Sequence, residues 1–280
     1  MKRFFIIALL GSIICSACSK QEDLVLRVVT YNIRMDTRAD SLNAWEYRKD
    51  KVNALIRYHD FDLVGTQEGF HHQLQDMARM TEYAYFGVGR DDGKTAGEHS
   101  SIFYKIDRFA LLETGDFWLS ETPDVPGKGW DATCCNRICS WGKLKEKKTG
   151  KTFYVFSVHF DHQGVVARRE SGKLMVQKMQ EIAKGYPVIC LGDFNSTPET
   201  EQIQLLSKHF NDAKTITKHP PYGPDGTFNS RFGNPIRPGR IDYIFVSDGI
   251  EVLRYASLTD NDGRYYPSDH IPVMAEIVLK

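Results

Sequence analysis

No sign of charge prevails in this chain: 36 basic side chains stand against 36 acidic ones in 280 residues. The basic surplus that marks a tight nucleic-acid binder is therefore missing from the bulk composition. No Pro/Gly/Ser-rich linker, low-complexity tract or short-period repeat interrupts the chain, which argues against a linker-joined array or a solenoid. Asn229-Ser230-Arg231 fails the glycosylation pattern. Apolar residues never run long enough to cross a bilayer; the longest near-unbroken stretch, 4–14, is too short. With 41% hydrophobic and 26% charged residues, the remainder is the composition of a folded globular domain rather than a disordered or fibrous chain.

That short apolar stretch follows Lys2-Arg3 and leads into Cys15-Ser16-Ala17-Cys18. A positive start, an apolar run and small residues make an export signal. Small residues before a cysteine resemble the processing site of bacterial lipoproteins, which predicts residues 1–17 as the signal and Cys18 as the lipidated first residue. Cys15, three before Cys18, departs from the leucine usual there, and an ordinary secretory signal cut nearby is the alternative. Removing Lys2 and Arg3 leaves 34 basic against 36 acidic side chains, a net charge of −2. Residues 18–23 read as a short polar tether, and 24–280 as one domain. The expected location is the bacterial cell envelope, periplasm-facing or at the cell surface, held by the lipid alone.

Cysteine is sparse beyond the signal: Cys134, Cys135, Cys139 and Cys190. Export permits disulfides. Cys134 and Cys139 could bridge a loop, but the adjacency of Cys134 and Cys135 leaves the pairing open. Cys190 sits in the apolar run 187–191 and reads as a buried thiol. A zinc knuckle lacks a fourth ligand at sensible spacing.

Period-two and β-branched runs predict strands at 25–32, 62–68, 83–88, 100–105, 109–118, 139–145, 152–159, 188–194, 241–246 and 272–279. Helical spacing of apolar residues predicts helices at 45–58, 71–80 and 165–183, the last with Leu174, Val176, Met179 and Ile182 on its apolar face. Helix–strand alternation mixed with hairpin stretches implies an α/β fold with mixed, partly antiparallel sheets.

Polar residues cluster where these strands stop: Asn32, Glu68, His159, Asp193 with Asn195, Asp242, and Asp269 with His270. Strand tips in layered α/β folds point into a shared crevice. One aspartate after a strand is usually a turn or a helix cap; six such tips carrying acids, amides and imidazoles call for a site.

Thr30-Tyr31-Asn32-Ile33-Arg34, Thr66-Gln67-Glu68, Ser157-Val158-His159-Phe160-Asp161-His162, Gly192-Asp193-Phe194-Asn195, Arg240-Ile241-Asp242-Tyr243 and Pro267-Ser268-Asp269-His270 resemble the endonuclease/exonuclease/phosphatase superfamily of deoxyribonuclease-like phosphoesterases. The match runs through the whole mature chain in the family's order. The resemblance implies a four-layer sandwich of two packed mixed β-sheets flanked by helices, and metal-dependent hydrolysis of a phosphodiester or phosphomonoester by in-line attack of water.

The donor set agrees with that chemistry. Carboxylates and amides are hard oxygen ligands suited to Mg²⁺, with Mn²⁺ as the alternative, and the thiols lie outside the motifs. The resemblance assigns the metal to Glu68, with Asn32 as neighbour and Asp269 completing this or a second position. It makes His270 the catalytic histidine, oriented by Asp242. Asp193 stands beside the nucleophile, and Asn195 donates to phosphoryl oxygens. His159 contacts the phosphate and pairs with Glu98, and Arg137 contacts the phosphate. Arg90-Asp91-Asp92-Gly93 reads as a turn, or as a loop lining the pocket. Thr227-Phe228-Asn229 resembles a near-substrate segment and equally suits a buried strand.

The substrate is not legible at this level. A phosphate ester is expected; nucleic acid stays open but is not favoured by the charge, and a monomer is expected. The alternatives are a nuclease acting on extracellular nucleic acid and a non-catalytic protein that binds a phosphorylated ligand.

Overall fold

The computed structural model describes residues 22–233 and 235–280. The predicted signal and Cys18 lie outside the described residues. No helix among the described residues is long and apolar enough to cross a membrane.

Strands follow in chain order as β1 (Leu24–Asn32), β2 (Leu63–Gln67), β3 (Gly69–Phe70), β4 (Tyr83–Phe86), β5 (Glu98–His99), β6 (Ile102–Lys105), β7 (Phe109–Trp118), β8 (Ile138–Glu146), β9 (Thr152–His159), β10 (Val188–Asp193), β11 (Asn211–Asp212), β12 (Asp242–Val246), β13 (Ile250–Ser257) and β14 (Val273–Leu279). The α-helices are α1 (Trp45–Tyr58), α2 (His71–Met77), α3 (Val165–Ala183), α4 (Glu201–His209) and α5 (Ala213–Ile216). One sheet has the order β13-β14-β1-β2-β6-β4, and the other β11-β12-β10-β9-β8-β7. Both are mixed: β1–β2 and β9–β10 are parallel, and their other neighbours antiparallel.

Three apolar clusters make the layers. Leu26, Val28, Leu63, Leu144, Val155, Leu191, Ile244 and Ile277 fill the space between the sheets. Val29, Tyr31, Trp45, Val52, Ile56 and Leu74 join the first sheet to α1 and α2. Phe156, Met175, Met179, Cys190, Ile203 and Leu206 join the second sheet to α3 and α4. Each such fully buried aliphatic or aromatic side chain contributes about 1.5–3 kcal/mol. The architecture is the expected four-layer sandwich. The sheets approach so closely at Gly65 that an added Cβ would lie 2.8 Å from Leu191 Cβ.

A polar seam crosses between the sheets towards one end. Gln67 Nε2 donates to Ser157 Oγ (3.2 Å), Ser157 Oγ donates to the Thr66 carbonyl (3.2 Å), and Thr30 Oγ1 donates to Gln67 Oε1 (3.2 Å). These side chains are fully buried and satisfied, so they fix the register of one sheet on the other instead of destabilising the core.

Three local expectations change. The helix predicted over 71–80 ends at Met77. The buried face of α3 is Ala167, Ser171, Gly172, Met175, Val176, Met179 and Ala183, while Leu174 and Ile182 are only partly covered. Small residues win that face because α4 crosses there: a Cβ on Gly172 would lie 2.7 Å from Gln202 Cβ. Strand β13 escaped the sequence pattern because its register against β14 shifts between Val252 and Arg254, which breaks the alternation.

Candidate active site

The second sheet sets three of the predicted residues in a row. Asp193 at the end of β10 is the register partner of His159 on β9 and of Asp242 on β12. Register partners project to the same face of a sheet, so two acids and an imidazole share one edge. The first sheet delivers the opposing group. Asn32 ends β1 beside Gln67 of β2, with Glu68 next in the chain. The halves meet through Asn32, whose Nδ2 donates to Glu68 Oε1 (2.9 Å) and Asp193 Oδ2 (3.0 Å).

Arg34, Glu68 and Asn195 all have left-handed backbones, with φ of 58°, 65° and 45°. That conformation is costly for residues with a Cβ and clusters at functional sites. Here it turns the chain sharply at the strand ends. Asn195 is then tied by its own N–H to Asp193 Oδ1 (2.9 Å), and its Nδ2 donates to His159 Nε2 (3.1 Å).

The Pro267–His270 segment comes in from the side. Ser268 Oγ donates to the Asn32 carbonyl (2.7 Å), and Asn229 N–H to the Asp269 carbonyl (2.8 Å). His270 Nδ1 meets Asp242 Oδ2 at 2.9 Å, and Thr227 Oγ1 donates to the same oxygen (2.6 Å). The Phe228 ring packs 4.8 Å from the imidazole. Thr227-Phe228-Asn229 therefore belongs to the site: it fixes the Asp242–His270 pair and the Asp269 backbone.

Arg48 ties the turn after β1 to the Pro267–His270 segment. This buried guanidinium donates to the carbonyls of Ile33, Arg34 (2.6 Å) and Pro267 (3.2 Å). No strand-end motif marks it in the sequence. The available signal was a charged residue on the apolar face of a helix, three positions after Trp45.

Burial shapes the protonation states. It pushes the Asp193 carboxyl up to about 7, with Asp242 adding repulsion, and it also raises Asp269. Burial alone would raise Glu68, but His270, the bonds from Asn32 and Met35 N–H, and Arg34 hold it below its ordinary value. Burial disfavours a charged His270, yet Asp242 and Asp193 outweigh it and raise its pKa well above the usual histidine value. His159 goes the other way: burial, then Arg137 and Arg90, keep it neutral. The charged form is thus favoured at one histidine and disfavoured at the other within the same cleft.

The expected Glu98–His159 pair is looser than predicted. Glu98 Oε2 lies 3.7 Å from His159 Nδ1, beyond hydrogen-bond range, and its close partner is Arg90 Nη1 at 2.6 Å. Burial still pushes the Glu98 carboxyl up to about 7, against the pull of Arg90. Arg137 is buried, with Nε 3.4 Å from Asp161 Oδ1 and Nη2 2.7 Å from His162 Nδ1. The thiol pairing that the sequence leaves open is Cys134 to Cys135, and Cys139 is a free buried thiol on β8.

These groups line one pocket of about 590 Å³, which Glu68, Glu98, Arg137, His159, Asp193, Asn195, Asp269 and His270 share with Arg34, Arg90, Asp91 and Cys134–Cys135. Asn32 and Asp242 sit behind them, bonded to Glu68 and to His270.

The donors suit a hard divalent cation. One ligand atom each from Glu68, His159 and Asp193 lie within 4.8 Å of one another, as do those of Asp193, Asp242 and His270. Asp242 Oδ1 is buried without a hydrogen-bond partner. Buried carboxylates in this number require a counter-charge. Asp269 stands apart from both groups; it is linked to Glu68 through Arg34, at 3.8 and 3.7 Å.

Strand-end acids, a carboxylate-held imidazolium and a neutral second histidine form the layout of a phosphoesterase. Residues 29–270 match the Endonuclease/Exonuclease/phosphatase family, and the chain belongs to it: an enzyme of a divalent-metal-dependent group of phosphoesterases and nucleases. It is 45% identical to an endonuclease/exonuclease/phosphatase family protein from Bacteroides thetaiotaomicron, with a TM-score of 0.88 over 93% of this chain and 97% of that one. It is 46% identical to a mannosyl-6-phosphatase of the same organism, with a TM-score of 0.86 over 91% and 100%. It is also 23% identical to the CCR4-Not complex 3'-5'-exoribonuclease subunit Ccr4 of Mycosarcoma maydis, over 90% of this chain and 50% of that protein.

Proposed function

We propose that the protein hydrolyses the phosphate monoester of a phosphorylated sugar, with Mg²⁺ as its cation. The observation that carries this reading is the pocket: its volume of about 590 Å³ is that of a small-ligand site. Its walls bring Arg90, Arg137 and His162 to one bounded spot, where a polyanion would want a basic track along the surface. The 46% identity to a mannosyl-6-phosphatase supports the same substrate class.

The roles follow from the geometry. Glu68 would hold the cation, oriented by the Asn32 amide bonded to it, with Asp269 set apart and tied to Glu68 through Arg34, and the cation would neutralise phosphoryl oxygens. Asp193, with its pKa near 7, accepts the proton of the attacking water at neutral pH. His270 Nε2 is 3.8 Å from Asp193 Oδ2; held protonated by Asp242, it donates to the developing charge on phosphorus-bound oxygen. Neutral His159 and the Asn195 amide stand beside the same carboxylate as hydrogen-bonding groups for the phosphoryl oxygens, and Arg137 and Arg90 supply positive charge. Glu98 holds Arg90 in place.

Residues 24–280, assayed on hexose 6-phosphates, bis-p-nitrophenyl phosphate and single-stranded nucleic acid, test the reading. We expect metal-dependent release of phosphate from the sugar, lost in EDTA and restored by Mg²⁺. Turnover of the diester or nucleic acid alone would replace the sugar reading with a nuclease or phosphodiesterase. Lipidation at Cys18, supported by the charged start, apolar run and small residues before it, predicts fatty-acid labelling of the full chain that is absent in Cys18→Ala.

A further inference from the structure

A disulfide between adjacent residues closes no loop of any length, so the chain-entropy stabilisation of an ordinary disulfide is at its smallest here. The 19 residues between β7 and β8 that carry Cys134–Cys135 are held by other means. Asp131 accepts from Val166 and Ala167 N–H at the start of α3 (3.0 and 2.6 Å). Thr133 Oγ1 donates to Gln163 Oε1 (2.9 Å), and Leu119 N–H to the Arg137 carbonyl (2.8 Å). Asn136 Nδ2 and Trp118 Nε1 both donate to the Arg90 carbonyl (3.2 and 2.6 Å). A loop pinned this way does not need the sulfur–sulfur bond to stay in place.

What the bond changes is the surface. It removes two thiols, each a weak donor and a nucleophile, and leaves two polarisable sulfurs in the pocket wall. Arg137, two residues on, is joined to His162 at 2.7 Å, and both line the same pocket, as does Asp91. The catalytic acids and histidines line the same pocket from the strand ends. An apolar patch flanked by fixed donors and acceptors suits a ring with a C–H face and hydroxyls around its edge.

Resting on the sugar-phosphate reading above, we propose that Cys134–Cys135 is a specificity-determining wall: the alcohol half of the substrate lies against it while the phosphate occupies the strand-end acids and histidines. The wall selects ring-bearing leaving groups and takes no part in bond cleavage.

The test compares the full-length wild type with Cys134→Ala/Cys135→Ala. Intact mass first establishes the bond; two free thiols in the oxidised wild type would overturn the proposal. The kcat/KM for a hexose 6-phosphate is then measured against that for glycerol phosphate, with inhibition by inorganic phosphate as the readout of the catalytic end. We expect the hexose-to-glycerol ratio to fall about tenfold through KM, with phosphate inhibition unchanged. Wild type reduced with a phosphine should move the same way, and it serves alone if the double variant does not fold. An unchanged ratio, or equal loss on both substrates with weaker phosphate binding, overturns the wall. A wild type that turns over p-nitrophenyl phosphate but no sugar phosphate overturns the sugar reading and the wall with it, and that failure is visible before any variant is made.

Discussion

The floor of the pocket is made of strand ends, and its rim of two loops. His159, Asp193 and Asp242 are held by sheet register and sit within one row. Arg90, Asp91, Cys134, Cys135 and Arg137 come from the segments before β5 and before β8, and reach the pocket through side-chain bonds to carbonyls. A sheet edge fixes positions through many shared hydrogen bonds, so the floor resists change. A loop fixes them through a few, and can be rebuilt without disturbing the fold. On the proposed roles, the chemistry would sit where the scaffold is rigid, and the choice of substrate where it is replaceable.

Floor substitutions should cost the most. Asp193→Ala or His270→Ala is expected to lower kcat by about 10³–10⁴-fold with a small change in KM, read by steady-state kinetics on purified, folded protein. A kcat within tenfold of wild type would break the division, because the floor would then not carry the chemistry. Next comes the support beneath it. Arg48→Ala leaves buried carbonyl oxygens of Ile33, Arg34 and Pro267 without their donor. It should destabilise the protein by about 2–5 kcal/mol and weaken metal binding, checked by thermal unfolding with and without Mg²⁺.

The rim should answer differently. Arg137→Ala is expected to raise KM about tenfold and leave kcat within about threefold, the signature of a lost charge-assisted contact made equally in ground and transition states. A fall in kcat of the size seen for His270 would move Arg137 to the floor. The smallest effect concerns Glu98. Its folded pKa of about 7 lies above its ordinary 4.5, so the folded state holds the proton longer than the unfolded one. Stability should therefore fall as pH rises from about 4.5 to 7, and level off above that. Glu98→Gln should flatten that slope, read from urea midpoints at pH 5 and pH 8.

The same division explains what the sequence disclosed. Asn32, Glu68, His159 and Asp193 each end or follow an apolar β run, Asp242 opens one and His270 stands just before one, so period-two patterning bounded by polar residues announces them together. α1, β7, β9 and α3 carry their own periodicity and have the expected limits. The rim has no such period. Arg90 rather than His159 is the close partner of Glu98 because a loop folds back eight residues, a contact that no spacing rule encodes. The Cys134–Cys135 bond is a choice among thiols that depends on Cys139 pointing into the core from β8. Helix α4 is not among the expected helices, although its buried Ile203 and Leu206 stand at helical spacing.

Strand β14 lies antiparallel beside β1, with Leu24 opposite Leu279 and Thr30 opposite Val273. At about 3.3 Å per residue, the eight steps along β1 carry the chain about 26 Å from Leu24 to the pole of the pocket at Asn32. Leu24 and Leu279 therefore both lie at the pole opposite the pocket. Attachment to a surface through the segment before Leu24 would put the length of β1 between that surface and the pocket, and leave the mouth nearer to solutes arriving from the bulk than to whatever lies in the surface itself.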